Sequence, residues 1–165
     1  MSNSVTSPYK VVKDFEAALC QYTGAKYAVT TTSCTAALML AMEWSITEHK
    51  RTEFGRNVDI PNRTYVSVPM SIIRAGGRPT FSDKEWLGEY QLGNSPVWDC
   101  ARWFRRDMYI VGRMQCLSFH WSKQLAIGQG GCILHDNDEA DEWLRRMRFD
   151  GRKEGVAPKD DTFTL

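Results

Sequence analysis

Neither sign of charge dominates this chain of 165 residues: 21 lysines and arginines face 20 aspartates and glutamates, for a formal net charge of +1. No global field then steers it to nucleic acid or to an anionic membrane, and any anion it binds must be held locally. Long apolar runs are also missing. No stretch approaches the ~20 apolar residues that span a bilayer, and MSNSVTSPYK carries no apolar leader core; the expectation is a cytoplasmic protein with no membrane partner. The five cysteines, Cys20, Cys34, Cys100, Cys116 and Cys132, are odd in number and form no C-x-x-C pair. That argues against a disulfide framework or a zinc cluster and for small buried thiols. His49, His120 and His135 lack ligand-like spacing, so no metal is expected. Repeats, low-complexity tracts and clear linkers are absent too. With 42% hydrophobic residues the chain can build one sizeable core, and residues 1–165 are read as a single domain with irregular tails at 1–7 and 153–165.

What is present is an alternation of strand and helix signals. Ser7-Pro8 reads as an N-cap followed by proline at the first helical position, and Val12, Phe15, Leu19 and Tyr22 recur at helical spacing up to Gly24. KYAVTT (26–31) is a strand, and Ser33 caps an apolar helix running to about Thr47. VDI (58–60) is a short strand, YVSVPMSIIRAGG a helix interrupted early by Pro69, and RPTF another strand. PVWD (96–99), MQCLSF (114–119) and GGCILH (130–135) read as buried strands; a helix then starts at Asp138 and closes at Gly151. The tail is read as irregular and docked by Phe163, and residues 83–95 are the hardest to assign. The alternation predicts an α/β fold: three layers, α/β/α, around a mainly parallel sheet whose ligands sit beyond the carboxyl ends of the strands.

Those strand ends carry a particular set of residues: Ser33-Cys34-Thr35, Asn62 to Tyr65, Asp99, and Ser118 with Lys123. Free N–H groups at the start of the helix after Ser33 can cradle a phosphate, with Ser118 adding a hydroxyl. Tyr65 can lie on a planar ring. Asp99 at a buried strand end can pair with a protonated pyridine nitrogen, and Lys123, set in a turn, can form a Schiff base with an aldehyde. One cofactor, pyridoxal 5'-phosphate, uses all four features. Singly, each has a plainer reading: a surface lysine, a helix cap for ARWF at Asp99, a core tyrosine, a strand-end hydroxyl.

The stretches FEAALCQYTGAKYAVTTTSCTAALMLAM, VDIPNRTYVSVPMSIIRAGGRPTFSD, VWDCAR and LSFHWSKQLAIGQGG resemble, in the same order, the DegT/StrS-type sugar aminotransferases of the fold-type-I pyridoxal-phosphate superfamily. The resemblance spans roughly residues 10 to 152. It implies that Lys123 of S-F-H-x-x-K is the Schiff-base lysine, that Ser118 contacts the phosphate, and that Asp99 is the aspartate of the E-D-A-A-Q motif. It further implies that Tyr65 is the stacking aromatic and that the phosphate-binding amides fall at Cys34 and Thr35. This chain departs from the pattern in having Cys34 for glycine, Trp98 for the motif glutamate and Arg102 for its glutamine. Between Asp83 and Val97 the family has several tens of residues more, including a central strand. After Gly151 it continues through a G-y-N motif into a small domain that is not in this sequence.

The implied activity is transfer of an amino group from an amino acid such as glutamate to a keto-sugar nucleotide, with Lys123 and Asp99 catalytic. The alternative is a shortened, non-catalytic relative that keeps cofactor affinity or a dimer scaffold. Arg102, Arg105 and Arg106 around Trp103 and Phe104 read as a solvated helix face, with Arg102 the candidate for a sugar-nucleotide diphosphate; Arg145, Arg146, Arg148, Arg152 and Lys153 read as another exposed face. No nucleic-acid partner is expected. The resemblance also implies a homodimer or larger even oligomer, with apolar surface left by the shorter middle, around EWLGEYQL and ARWF, covered by the partner.

Overall fold

The structure, a computed structural model, describes residues 9–47 and 56–163. The cap assigned to Ser7-Pro8 lies outside them, as does His49. Helix α1 (Lys10–Thr23) ends where Gly24 takes φ 82° and donates its N–H to the Cys20 carbonyl. Strand β1 (Tyr27–Thr31) follows, then α2 (Cys34–Thr47), whose start is set by Ser33: its Oγ accepts from the Ala36 N–H at 3.1 Å. β2 (Asn57–Pro61), α3 (Ser67–Arg74) and β3 (Arg78–Ser82) form a second such unit. Pro69 does not interrupt α3. It is the third helical residue, in the first turn, where a backbone N–H would have no intrahelical acceptor anyway. β4 (Tyr90–Gln91) lies inside the stretch that resisted assignment. β5 (Val97–Asp99), β6 (Met114–Ser118), β7 (Gly131–His135) and α4 (Asp138–Met147) complete the order. α4 is shorter than its sequence pattern, and Asn137 caps it by accepting from the Ala140 N–H.

The main sheet has the order β1-β7-β6-β5-β4, and β2 pairs with β3 beside it. The expectation of a mainly parallel sheet needs correcting. β7 is antiparallel to both β1 and β6, β4 is antiparallel to β5, and the parallel ladders are β5 with β6 and β2 with β3. The physical reason is the connection: β6 reaches β7 through a loop, not a crossover helix, so the chain returns antiparallel. Because β7 opposes both neighbours, β1, β5 and β6 still run the same way. Their carboxyl ends share one edge with the start of β7, so the edge expected to hold the ligand exists.

The three layers are as expected. Val29, Met114, Cys116 and Ile133 share one core with residues of α2, α3 and α4; Ala28, Leu117, Cys132 and Leu134 share the other with Leu19 of α1 and with Cys100 and Met108 of the loop. α2 is apolar on all sides because it packs between the sheet, α3 and α4. Among the described residues no helix is long and apolar enough to cross a membrane.

The 83–95 link is absorbed into the fold. Gly93 donates its N–H to the Asp59 carbonyl at 2.9 Å, which brings the turn after β4 against β2. A Cβ on Gly93 would sit 3.3 Å from the Val58 Cα, so the approach is close. Tyr90 and Leu92 are buried, Trp86 packs on the same core, and Trp103 and Phe104 pack on the opposite one. The apolar surface expected around EWLGEYQL and ARWF is therefore largely consumed within the chain, and Leu87 is its main exposed remnant. ARWF is a turn, not a helix. Phe163 is 54% exposed and does not dock the tail; Arg146 does, donating to the Thr162 carbonyl at 2.8 Å.

Candidate active site

A cavity of about 490 Å³ opens at the shared strand edge, lined by Ser33, Cys34, Thr35, Tyr65, Asp99, Ser118 and Lys123 together with His120, Gln129 and Gly130. Six of the seven residues assigned to cofactor or substrate from sequence, Cys34, Thr35, Tyr65, Asp99, Ser118 and Lys123, thus meet in one place. The seventh, Arg102, is exposed and outside this lining. Its neighbours Arg105 and Arg106 lie over the Trp103 and Tyr22 rings, so this cluster is a set of ring contacts on a turn.

Each side chain is placed by a local cause. The first N–H groups of α2, those of Cys34 and Thr35, have no intrahelical acceptor and carry the positive end of the helix dipole. Close approach of β7 shapes this corner. A Cβ on Gly131 would lie 2.5 Å from the Cys34 nitrogen and 2.6 Å from the Ser33 carbonyl oxygen, so only glycine fits. The Cys34 side chain turns away from this backbone, its Sγ 3.7 Å from the Cys116 carbonyl on β6, which is how a cysteine replaces glycine without blocking the helix start. Burial pushes its thiol well above the usual range, so it stays protonated. Ser118 ends β6, and Lys123 sits in the loop beyond it, where its N–H donates to the His120 carbonyl at 2.9 Å. Tyr65, at the start of α3, is 73% exposed and forms the rim, so it is not a core tyrosine.

Asp99 is the buried acid of the site, 8% exposed at the end of β5. One carboxylate oxygen accepts from the Ala101 N–H at 2.9 Å; the other accepts from the Tyr90 hydroxyl at 3.0 Å. Burial lifts its carboxyl above the ordinary value, and the Ala101 N–H, the Tyr90 hydroxyl and the Lys123 ammonium pull it partly back. A buried carboxylate with two neutral donors keeps acceptor capacity for a cation. The corner at α2 suits an anion, and Lys123 supplies an amine between the two. That donor set fits pyridoxal phosphate. The sequence pointed to neither Tyr90 nor Gln129; Tyr90 lies in the unassigned link, and only the pairing of Tyr90 with Asp99 across β4 and β5 reveals it.

A second concavity, about 450 Å³, lies between α1 and α4. Its Arg145 and Arg146 are already held by Glu16, Asp141 and Asp161.

Comparison with known proteins bears on the family and the fold. The family model described as the DegT/DnrJ/EryC1/StrS aminotransferase family matches residues 1–87 and 101–164. Lys123, Ser118, Tyr65, Cys34 and Thr35 fall within the match, whereas Asp99 and Tyr90 fall in its break. The spore coat polysaccharide biosynthesis protein SpsC of Bacillus subtilis is 25% identical, aligned over 85% of this chain and 46% of its own length. That alignment runs over 185 positions, more than the 165 residues here, so the relative carries residues this chain lacks. Among solved structures, the Helicobacter pylori aminotransferase PseC, involved in pseudoaminic acid biosynthesis, superimposes with a TM-score of 0.72 at 17% identity, over 96% of this chain and 53% of that one. A sugar aminotransferase of Micromonospora echinospora gives 0.72 at 17% identity, over 98% and 56%. The chain spans about half the length of the relatives it matches, and it shares their fold. With most of its length matched on both sides of the break, this chain belongs to the DegT/DnrJ/EryC1/StrS aminotransferase family.

Proposed function

We propose that the chain binds pyridoxal phosphate and transfers an amino group from an amino acid, glutamate by resemblance, to a keto-sugar nucleotide. The observation that carries this reading is the convergence of Lys123, Asp99, Ser118 and the α2 N-terminus on one cavity in a member of an aminotransferase family. The Cys34 and Thr35 amides and the Ser118 hydroxyl hold the phosphate. Asp99 holds the protonated ring nitrogen, and Tyr65 covers a ring face. When bound, the cofactor supplies an aldehyde that condenses with amines and a cationic ring that takes up the electron pair of a broken Cα–H bond. Lys123 Nζ would hold the aldehyde, and the same amine would take the proton from the substrate carbon and return it. The similar structures include proteins solved with a TDP-sugar product and with GDP-perosamine, which supports a nucleotide sugar as the second substrate.

A second reading, a cofactor-binding or dimer-scaffold relative without turnover, is favoured by the break in the family match at 88–100 and by the outward position of Arg102 where the family has glutamine. A homodimer goes with both readings; it is supported by Tyr65, Val66, Met70 and Ile73, which expose an apolar stripe along α3 beside the cavity. One experiment separates the readings. Borohydride reduction with pyridoxal phosphate, followed by peptide mapping, is expected to label Lys123, and label on another lysine or on none removes the aminotransferase and the cofactor-binding relative alike and leaves a bare dimer scaffold. An amino-donor screen then bleaches the visible band if the chain turns over and leaves it if the chain is a scaffold.

A further inference from the structure

The link that replaces longer family structure does more than close the sheet. Tyr90, its strand residue, is 6% exposed and stands directly opposite Asp99 in the β4–β5 ladder. Its hydroxyl lies 3.0 Å from Asp99 Oδ2 and in short contact with Thr64 Oγ1. An ionised carboxylate only accepts, so Tyr90 donates to Asp99, and the Thr64 hydroxyl must donate to Tyr90. The chain runs one way: Thr64 to Tyr90 to Asp99. Trp86, from the same link, donates its indole N–H to the Arg63 carbonyl at 2.8 Å, and its ring packs 4.8 Å from that of Tyr90. The link therefore grips both the loop that carries Tyr65 and the acid at the end of β5.

We propose that Tyr90 is a positioning residue for the cofactor: it fixes Asp99 as an oriented, ionised acceptor for the protonated ring nitrogen and ties that acceptor, through Thr64, to the loop bearing Tyr65. This rests on the reading that the cavity takes pyridoxal phosphate. Three observations support it. Asp99 is buried with one N–H and one O–H donor, and burial works against its charge, so losing the phenol removes half of its direct support. The phenol is a dependable donor, because burial and then the Asp99 charge raise its own proton affinity. Finally, Tyr90 lies in the break of the family match, within the link that bridges the shortened middle, and the β4–β5 ladder sets it against Asp99.

The test compares wild type with Tyr90→Phe and Thr64→Val, by pyridoxal phosphate affinity, by the pH at which the bound visible band titrates, and by thermal unfolding of the cofactor-free protein. Tyr90→Phe keeps the packed ring, so cofactor-free unfolding should move little. Its cofactor affinity should fall about tenfold, as for a lost hydrogen bond to a charged group, and the band's titration should shift. Thr64→Val should do the same to a smaller extent. A pyridoxal phosphate analogue with carbon in place of the ring nitrogen should bind wild type and Tyr90→Phe equally. Equal loss with the analogue, or unshifted affinity and titration with the natural cofactor, overturns the role of Tyr90. Should the phenylalanine variant fail to fold, Thr64→Val decides, since it leaves β4 untouched and an unshifted titration there breaks the proposed chain. Failure of wild type to form the borohydride-stable link at Lys123 would instead remove the cofactor reading itself.

Discussion

Among the described residues, Glu16 and Asp99 are the acids buried as whole residues, and their surroundings are opposite. Glu16 on α1, 4% exposed, accepts from the Thr30 N–H at 2.9 Å and the Thr30 hydroxyl at 2.8 Å, and is paired with Arg145 at 2.6 Å and with Arg148. Asp99, at 8%, has one amide and one phenol. Burial is the largest influence on both and disfavours the charge. At Glu16 the Thr30 N–H and the two arginines outweigh it and hold the carboxyl below its ordinary value; at Asp99 burial prevails and the value is raised. A carboxylate matched inside the chain is a structural node, here tying α1, β1 and α4 together. One left short of positive charge at the edge of a cavity is a place for a cation from outside.

Breaking the matched node should have the largest effect. Arg148→Met leaves Glu16 under-compensated and is expected to cost about 3–5 kcal/mol, the usual penalty for removing one partner of a buried pair; urea unfolding measures it, and a loss below about 1 kcal/mol would dissolve the contrast. Asp99→Asn should behave the other way. It removes a charge that burial opposes, so the cofactor-free protein should keep its stability to within about 1 kcal/mol, while pyridoxal phosphate affinity falls at least about tenfold. A large loss of stability with unchanged affinity would reverse the roles assigned to the two acids.

The smallest effect is in acid. Glu16 has a depressed folded value, so its stabilisation is present above the ordinary carboxyl value of 4.5 and is lost as pH falls through the folded one; Asp141, also depressed, acts in the same sense. Asp99 has the opposite sign, because its raised value makes ionisation costly as pH rises. Unfolding midpoints followed from about pH 6 down to about pH 3 should therefore fall less steeply in Glu16→Gln than in wild type. Asp99→Asn should not flatten that limb.

The same contrast marks what could be read in advance. The turn with Lys123, the cap at Ser33 and the strand-end positions of Asp99 and Ser118 are local patterns, and all lie where they were expected. Arg145 and Arg148, in contrast, look like an exposed helix face, because charged neighbours on a helix usually are one. Their partner Glu16 is 129 and 132 residues away, and no window along the chain brings the three together. β4 is equally invisible, since two residues display no periodicity. The sense of β7 depends on which strands it joins, not on its own composition.

By itself, then, the sequence determined the order of strands and helices apart from β4, the three-layer class and the group of residues at one strand edge, because caps, turns and apolar periods act over a few residues. Only the tertiary structure decided that the sheet is mixed, that the short link folds inward and lays Tyr90 on Asp99, and that one buried acid is fully paired while the other keeps room for a cation. Those outcomes depend on contacts between distant segments, and burial and charge compensation exist only once such segments have met.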